Sequence, residues 1–120
     1  MKVLTKDLER RLLTNGSAPS LSHVPLVKLF NPLSAATWLV TEMADDGDSL
    51  FGLADLGVGS PELGWFSRRE IERLRLPFGL RIERDMQFRT EHSIAVWADH
   101  ARVAGSIAEA DRLLQGLSGP

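Results

Sequence analysis

The segment from Ala36 to Ser67 constrains this chain more than any other. Ala36 to Met43 (ATWLVTEM) alternates with the period of two of a half-buried strand. Trp38, Val40 and Glu42 fall on one side of it, and Thr37, Leu39, Thr41 and Met43 on the other. The next residues, ADDGD from Ala44 to Asp48, form a hairpin signal, because an Asp-Gly pair supplies the positive φ angles that a tight turn needs. Ser49 to Leu56 then returns as the partner strand, and Glu62 to Phe66 is a further short one. Ser67-Arg68-Arg69-Glu70 has the Ser-x-x-Glu spacing of a capping box and opens a helix. A hairpin extended by a third strand commits this region to an antiparallel sheet.

The flanks supply the helices. Thr5 is placed to cap a helix over Lys6 to Thr14, with Asp7 in its first turn and Leu4, Leu8, Leu12 and Leu13 along its apolar side. Asn15-Gly16 reads as its stop, with glycine in the left-handed conformation. Pro25 to Phe30 (PLVKLF) is apolar on both faces apart from Lys28, which predicts an interior strand. In the helix opened at Ser67, Ile71 and Leu74 are expected to point inward, and Leu76-Pro77 ends it. Leu80 to Asp85 alternates as another strand. Ile94, Trp97, Ala98, Ala101 and Ala104 recur at helical spacing, Gly105-Ser106 interrupts them, and Ile107, Ala110, Leu114 and Leu117 form a second stripe.

The order reads as α+β: an N-terminal helix, a mainly antiparallel sheet of four to five strands, a short helix and a C-terminal helical pair. One domain over residues 1–120 is expected, with an α+β core over 1–89 and a helical segment over 91–117.

Composition narrows the chemistry. The 120 residues include no cysteine, which removes disulfides, zinc-thiolate sites and thiol nucleophiles together. The formal charge of −2 is too small for bulk attraction to nucleic acid or an anionic membrane. No apolar run approaches the ~20 residues of a membrane span, and Lys6-Asp7 interrupts the start before a signal peptide's apolar centre could form. A cytoplasmic protein with no membrane partner is expected.

The glycine-rich stretch LFGLADLGVGSPELGWFS, Leu50 to Ser67, invites comparison with a phosphate loop. A dinucleotide fingerprint needs Gly-x-Gly-x-x-Gly opening a helix directly, whereas here Gly57-Val58-Gly59 precedes a strand and Gly64 comes two places late. Turn and bulge glycines are the main reading. Asp45, Asp46, Asp48 and Glu62 belong to a run, Thr41 to Phe66, without Lys or Arg; they lack the ligand spacing of a calcium loop, and no metal is expected there. Asp55 sits among Leu53, Ala54 and Leu56 and must be hydrogen-bonded or paired, either capping the glycine turn or meeting an arginine. Arg68, Arg69, Arg73 and Arg75 form a basic helix suited to phosphate by the planar guanidinium fork, and suited equally to local pairing. His23, His92 and His100 show no ligand spacing, no serine has nucleophile-elbow context, and no cofactor is expected. Trp38, Trp65 and Trp97 read as core or interface anchors, with a homodimer through the C-terminal Trp97 stripe as one use.

Four pieces taken together, LTKDLERRLLTNG (Leu4 to Gly16), PLVKLFNP with TWLVTE (Pro25 to Glu42), DGDSLFGLADLGVGSPELGWFS (Asp46 to Ser67) and ERD (Glu83 to Asp85), resemble a small bacterial family, the domain of unknown function numbered 2958. The resemblance covers about Met1 to Arg89. It implies cargo of plasmids, phages and other mobile elements, with no established catalytic residues to carry over. Residence on such elements implies a non-enzymatic accessory that binds a macromolecule, such as a host protein of a CRISPR or restriction complex. The surface expected to do so, read from the sequence itself, is Asp45, Asp46 and Asp48 of the hairpin with Glu62. The alternatives are nucleic-acid binding through Arg68, Arg69, Arg73 and Arg75, and an enzyme with an unfamiliar carboxylate site around Asp55 and Glu62.

Overall fold

Thr5 opens the first helix as its sequence predicts. In the computed structural model, which describes residues 2–118, helix α1 spans Lys6–Gly16 and the Thr5 hydroxyl accepts the Leu8 N–H at 3.1 Å. Asp7 and Glu9 lie in its first turn, where unpaired N–H groups favour negative charge. The helix does not stop at Thr14. Gly16 stays helical, and a Cβ on it would lie 2.2 Å from the Met43 carbonyl oxygen, so glycine serves close approach rather than a left-handed cap. The Asn15 amide fastens the same turn by donating to the Thr41 carbonyl at 3.0 Å.

Among the described residues five strands form one antiparallel sheet. They are β1 (Val27–Phe30), β2 (Thr37–Met43), β3 (Ser49–Asp55), β4 (Glu62–Ser67) and β5 (Glu83–Arg84), in the order β4-β3-β2-β1-β5. Strand β1 is interior, as its two apolar faces predict. Strand β5 is shorter than the expected Leu80 to Asp85. The Leu80 carbonyl already accepts the Leu76 N–H at 3.0 Å, which holds that segment in a loop.

A bulge in β2 redirects the expected faces. Between Val40 and Glu42 the register with β3 shifts, and Thr41 is the extra residue. Trp38, Val40 and Met43 therefore share one core with Leu4, Leu12, Leu29 and Leu50 beneath α1, although strict alternation puts Met43 on the opposite side. Leu39 and Leu53 face a second core with Ile94, Trp97, Ile107 and Leu114. Helices cover both faces of the sheet, so β2 is buried along nearly all its length.

Helix α2 (Arg68–Arg73) buries Ile71 but not Leu74, which is 45 % exposed. The backbone leaves the helix at Leu74 with ψ 127°, and Leu76 packs against the core instead. Helices α3 (Ile94–Ala104) and α4 (Ile107–Ser118) are the expected pair, separated by Gly105 at φ 88°. Trp97 is buried against the sheet, with its indole N–H donated to the Thr90 hydroxyl at 3.0 Å. The stripe expected to bind a second copy is thus committed to the core. The Leu117 side chain of the second stripe lies outside the described residues. Among the described residues no helix is long and apolar enough to cross a membrane.

Candidate functional site

The β2–β3 hairpin gathers Asp45, Asp46 and Asp48, and two of the three already have internal work. Only Gly47 in this turn takes a positive φ, at 72°. Asp46 closes the turn: one carboxylate oxygen accepts the N–H groups of Asp48 and Ser49 at 2.8 Å, and the other accepts the Ser49 hydroxyl at 2.6 Å. The Ser49 hydroxyl and N–H, with the Asp48 N–H, hold the Asp46 pKa down to about 2. Asp48 accepts the Arg69 N–H at 2.8 Å and the Ser67 hydroxyl at 2.9 Å, which lowers its pKa as well. It thereby caps α2 jointly with Ser67, whose hydroxyl accepts the Glu70 N–H at 3.2 Å. Asp45 is exposed, with no hydrogen bond or ion pair among the described residues. Glu62 does not join this group. It pairs with Ala54 at the opposite end of β4 from Ser67, roughly 17 Å away at the usual strand rise.

The arginines divide in the same manner. Arg68 is buried, and its guanidinium donates to Glu9 at 3.0 Å and to Glu72 at 3.2 Å. Burial works against its charge, but the hydrogen bonds to Glu9 and Glu72 outweigh that and raise its pKa. Glu72 also accepts the Val3 N–H at 2.9 Å, so Arg68 ties α2 to α1 and the N-terminal segment. This corrects its place in the expected nucleic-acid surface: a guanidinium held by two carboxylates inside the fold cannot fork onto a phosphate. Arg69, Arg73 and Arg75 do come together, with Arg81 as the fourth, around a hollow of about 500 Å³ beside Glu72. Arg81 donates to the Glu72 carbonyl at 3.2 Å, whereas the other three guanidiniums form no hydrogen bond or ion pair among the described residues, Arg69 acting on Asp46 and Asp48 at longer range. Arg81 belongs to the same arginine-rich stretch in sequence, but helical spacing does not place it with the other three, because it returns to α2 only after the Pro77–Gly79 turn.

Asp55 resolves in favour of the turn cap. One oxygen accepts the Gly57 N–H at 2.9 Å, and the other accepts the Ile107 N–H, the first of α4, also at 2.9 Å. No arginine meets it. Gly57 and Gly59 both take positive φ, 83° and 84°, and lead into β4 rather than a helix. A shallow hollow of about 660 Å³ between Lys28, Thr37 and Ser106 reaches Asp55. Both of the carboxylate's oxygens are engaged there by backbone N–H groups, and Glu62 is exposed beyond it.

One larger feature was not legible in the sequence. A groove of about 990 Å³ runs between α1 and the C-terminal segment, with Leu8, Phe88, Trp97 and Leu114 contributing apolar lining and Arg11 and Arg89 charged lining. Its walls come from four separated stretches, so no local motif marks it. Among the described residues no group of three or more His, Asp or Glu is placed to hold a metal ion.

The chain matches the model of a protein family of unknown function, DUF2958, over residues 3–108, and it belongs to that family. The match extends beyond Arg89, where the likeness read from sequence motifs ended, through α3 to the first turn of α4. It therefore includes both Asp55 and Ile107. No curated protein and no solved structure matches the chain.

Proposed function

We propose that this member of the family is a non-catalytic cytoplasmic binding protein whose working surface is the arginine hollow. Its partner on this reading is a nucleic-acid backbone. The observation that carries it is the convergence of Arg69, Arg73, Arg75 and Arg81 on one hollow, three of them without a side-chain hydrogen bond or ion pair among the described residues, in a chain of net charge −2. Such a group is costly in self-repulsion unless an anion relieves it, and the guanidinium fork matches phosphate oxygens. The Arg69 charge acts on Asp46 and Asp48 and helps to lower both their pKa values, but neither carboxylate forms an ion pair with it: Asp46 is held by Ser49, and Asp48 by Ser67 and the Arg69 backbone.

A protein partner is the second reading, carried by Asp45 at the exposed tip of the hairpin. There the chain acts as a mobile-element inhibitor of a host defence complex. The hairpin offers that partner less charge than its sequence suggests, since Asp46 and Asp48 are already hydrogen-bonded.

Fluorescence anisotropy with labelled single- and double-stranded oligonucleotides across a salt series separates the two. The arginine reading expects affinity that falls steeply with salt. Arg73→Ala with Arg75→Ala should then flatten the log–log slope by about two units, one for each phosphate that is no longer neutralised. No binding at low salt, or binding indifferent to both substitutions, overturns it.

A further inference from the structure

We propose that β4 is the joint of a homodimer, in which two sheets merge edge to edge across a two-fold axis at Trp65. The open edge has a defined phase. The Arg68 N–H donates to the Asp48 carbonyl at 2.9 Å, and the β3–β4 register carries Phe66, Gly64 and Glu62 in step with it. In an antiparallel ladder successive residues alternate, so Leu63 and Trp65 present their N–H and C=O groups to the open side and Ser67 its N–H, the Ser67 carbonyl being the first acceptor of α2. Six regular residues without a bulge, lysine or internal proline form an unguarded edge of the kind that recruits another strand.

The occupant follows from self-complementarity. Trp65 is 57 % exposed on this edge strand, and its ring meets Phe51 in a T-shaped contact at 5.3 Å. Antiparallel pairing of two β4 strands with Trp65 opposite Trp65 sets Leu63 opposite Ser67, so the two Trp65 residues exchange both their hydrogen bonds and each Ser67 N–H meets a Leu63 C=O. It brings the two Trp65–Phe51 pairs side by side on one face of the sheet. In the same register Glu62 comes opposite Arg68 of the second copy and beside its Arg69. The Glu62 side chain has no hydrogen bond or ion pair among the described residues, and Arg69 acts on Asp46 and Asp48 only at longer range, so the two-fold axis offers Glu62 an opposite charge. A polyanion or a generic apolar strand would leave Glu62 unmatched. Because α2 follows β4 directly, the two arginine hollows then flank the joint on one face. The joint itself does not depend on their role.

Sedimentation velocity over a concentration series, without nucleic acid, tests the proposal. The parent protein should self-associate reversibly to a dimer. Trp65→Lys, which sets two like charges opposite each other, should raise the dissociation constant by about tenfold or more. Glu62→Arg should weaken the dimer, and Glu62→Arg with Arg69→Glu should restore it. Both positions are exposed, and circular dichroism confirms that the variants remain folded. A parent protein monomeric at every soluble concentration overturns the proposal, as does a dimer indifferent to Trp65→Lys. A dimer indifferent to Glu62→Arg overturns the register.

Discussion

The Asp55 carboxylate at the end of β3 accepts the Ile107 N–H at 2.9 Å, joining the sheet to the start of a helix fifty-two residues further along the chain. A helix N-terminus leaves N–H groups without intrahelical partners, and a buried one must be satisfied from outside. Here the acceptor comes from another layer of the fold, so the docking of α4 is specified by a hydrogen bond as well as by Ile107, Ala110 and Leu114.

Asp55→Ala is therefore expected to cost about 2–3 kcal/mol, because it leaves the buried Ile107 N–H unsatisfied and releases the Gly57 turn. Asp55→Asn, which retains one acceptor oxygen, should lose only part of this. Urea denaturation measures the loss, and hydrogen exchange should show α4 amides opening while those of α1 stay protected. An Asp55→Ala protein as stable as the parent would show that the α4 terminus is satisfied in another way.

Gly16→Ala should destabilise by about 2 kcal/mol or more, since a Cβ 2.2 Å from the Met43 carbonyl forces α1 away from β2. The sign is informative, because glycine to alanine within a helix ordinarily gains up to ~1 kcal/mol. Gly116 in α4 has open space around it, and Gly116→Ala should show that ordinary gain. Thermal melts of the two variants side by side make the comparison.

Arg68→Ala should lower stability by about 3 kcal/mol, at the lower end for breaking a buried ion pair because Glu9 remains partly solvated. The exposed Arg73→Ala should change stability by less than about 0.5 kcal/mol. Equal effects in chemical denaturation would contradict the division between a structural and a free arginine.

Asp46 should titrate near pH 2 rather than at the ordinary aspartate value of 3.8, as followed by carboxyl carbon shifts in NMR. Its folded-state pKa is depressed, so its contribution to hairpin stability is present above the unfolded value. That contribution disappears as pH falls from about 4 through 2. Ser49→Ala removes the hydroxyl that donates to Asp46 and should bring the pKa back toward 3.8. An unshifted Asp46 in the parent protein would show that the turn is closed by backbone geometry alone.

Local signals in the chain were strong where the physics is local. Thr5 and Ser67 cap the helices they precede, Gly105 ends α3, and the apolar character of PLVKLF places β1 inside the sheet. Signals that depend on distant partners were ambiguous or misleading. Gly16 carries the same residue type whether it ends a helix or presses against a carbonyl. Arg68 and Arg69 are neighbours of one kind, yet one is buried against Glu9 and the other lines an open hollow.

By itself, then, the sequence determined the α+β class, the antiparallel hairpin centred on ADDGD and the helical pair at the C-terminus. These follow from periodicity and capping, interactions within a few residues of each other. Tertiary structure alone decided that Thr41 bulges and turns Met43 to the α1 side. It also decided that Trp97 is core, that Arg81 completes the arginine hollow, and that Asp55 holds α4. Each of these depends on which segments meet across the sheet, and burial and hydrogen-bond satisfaction are settled only when the layers close.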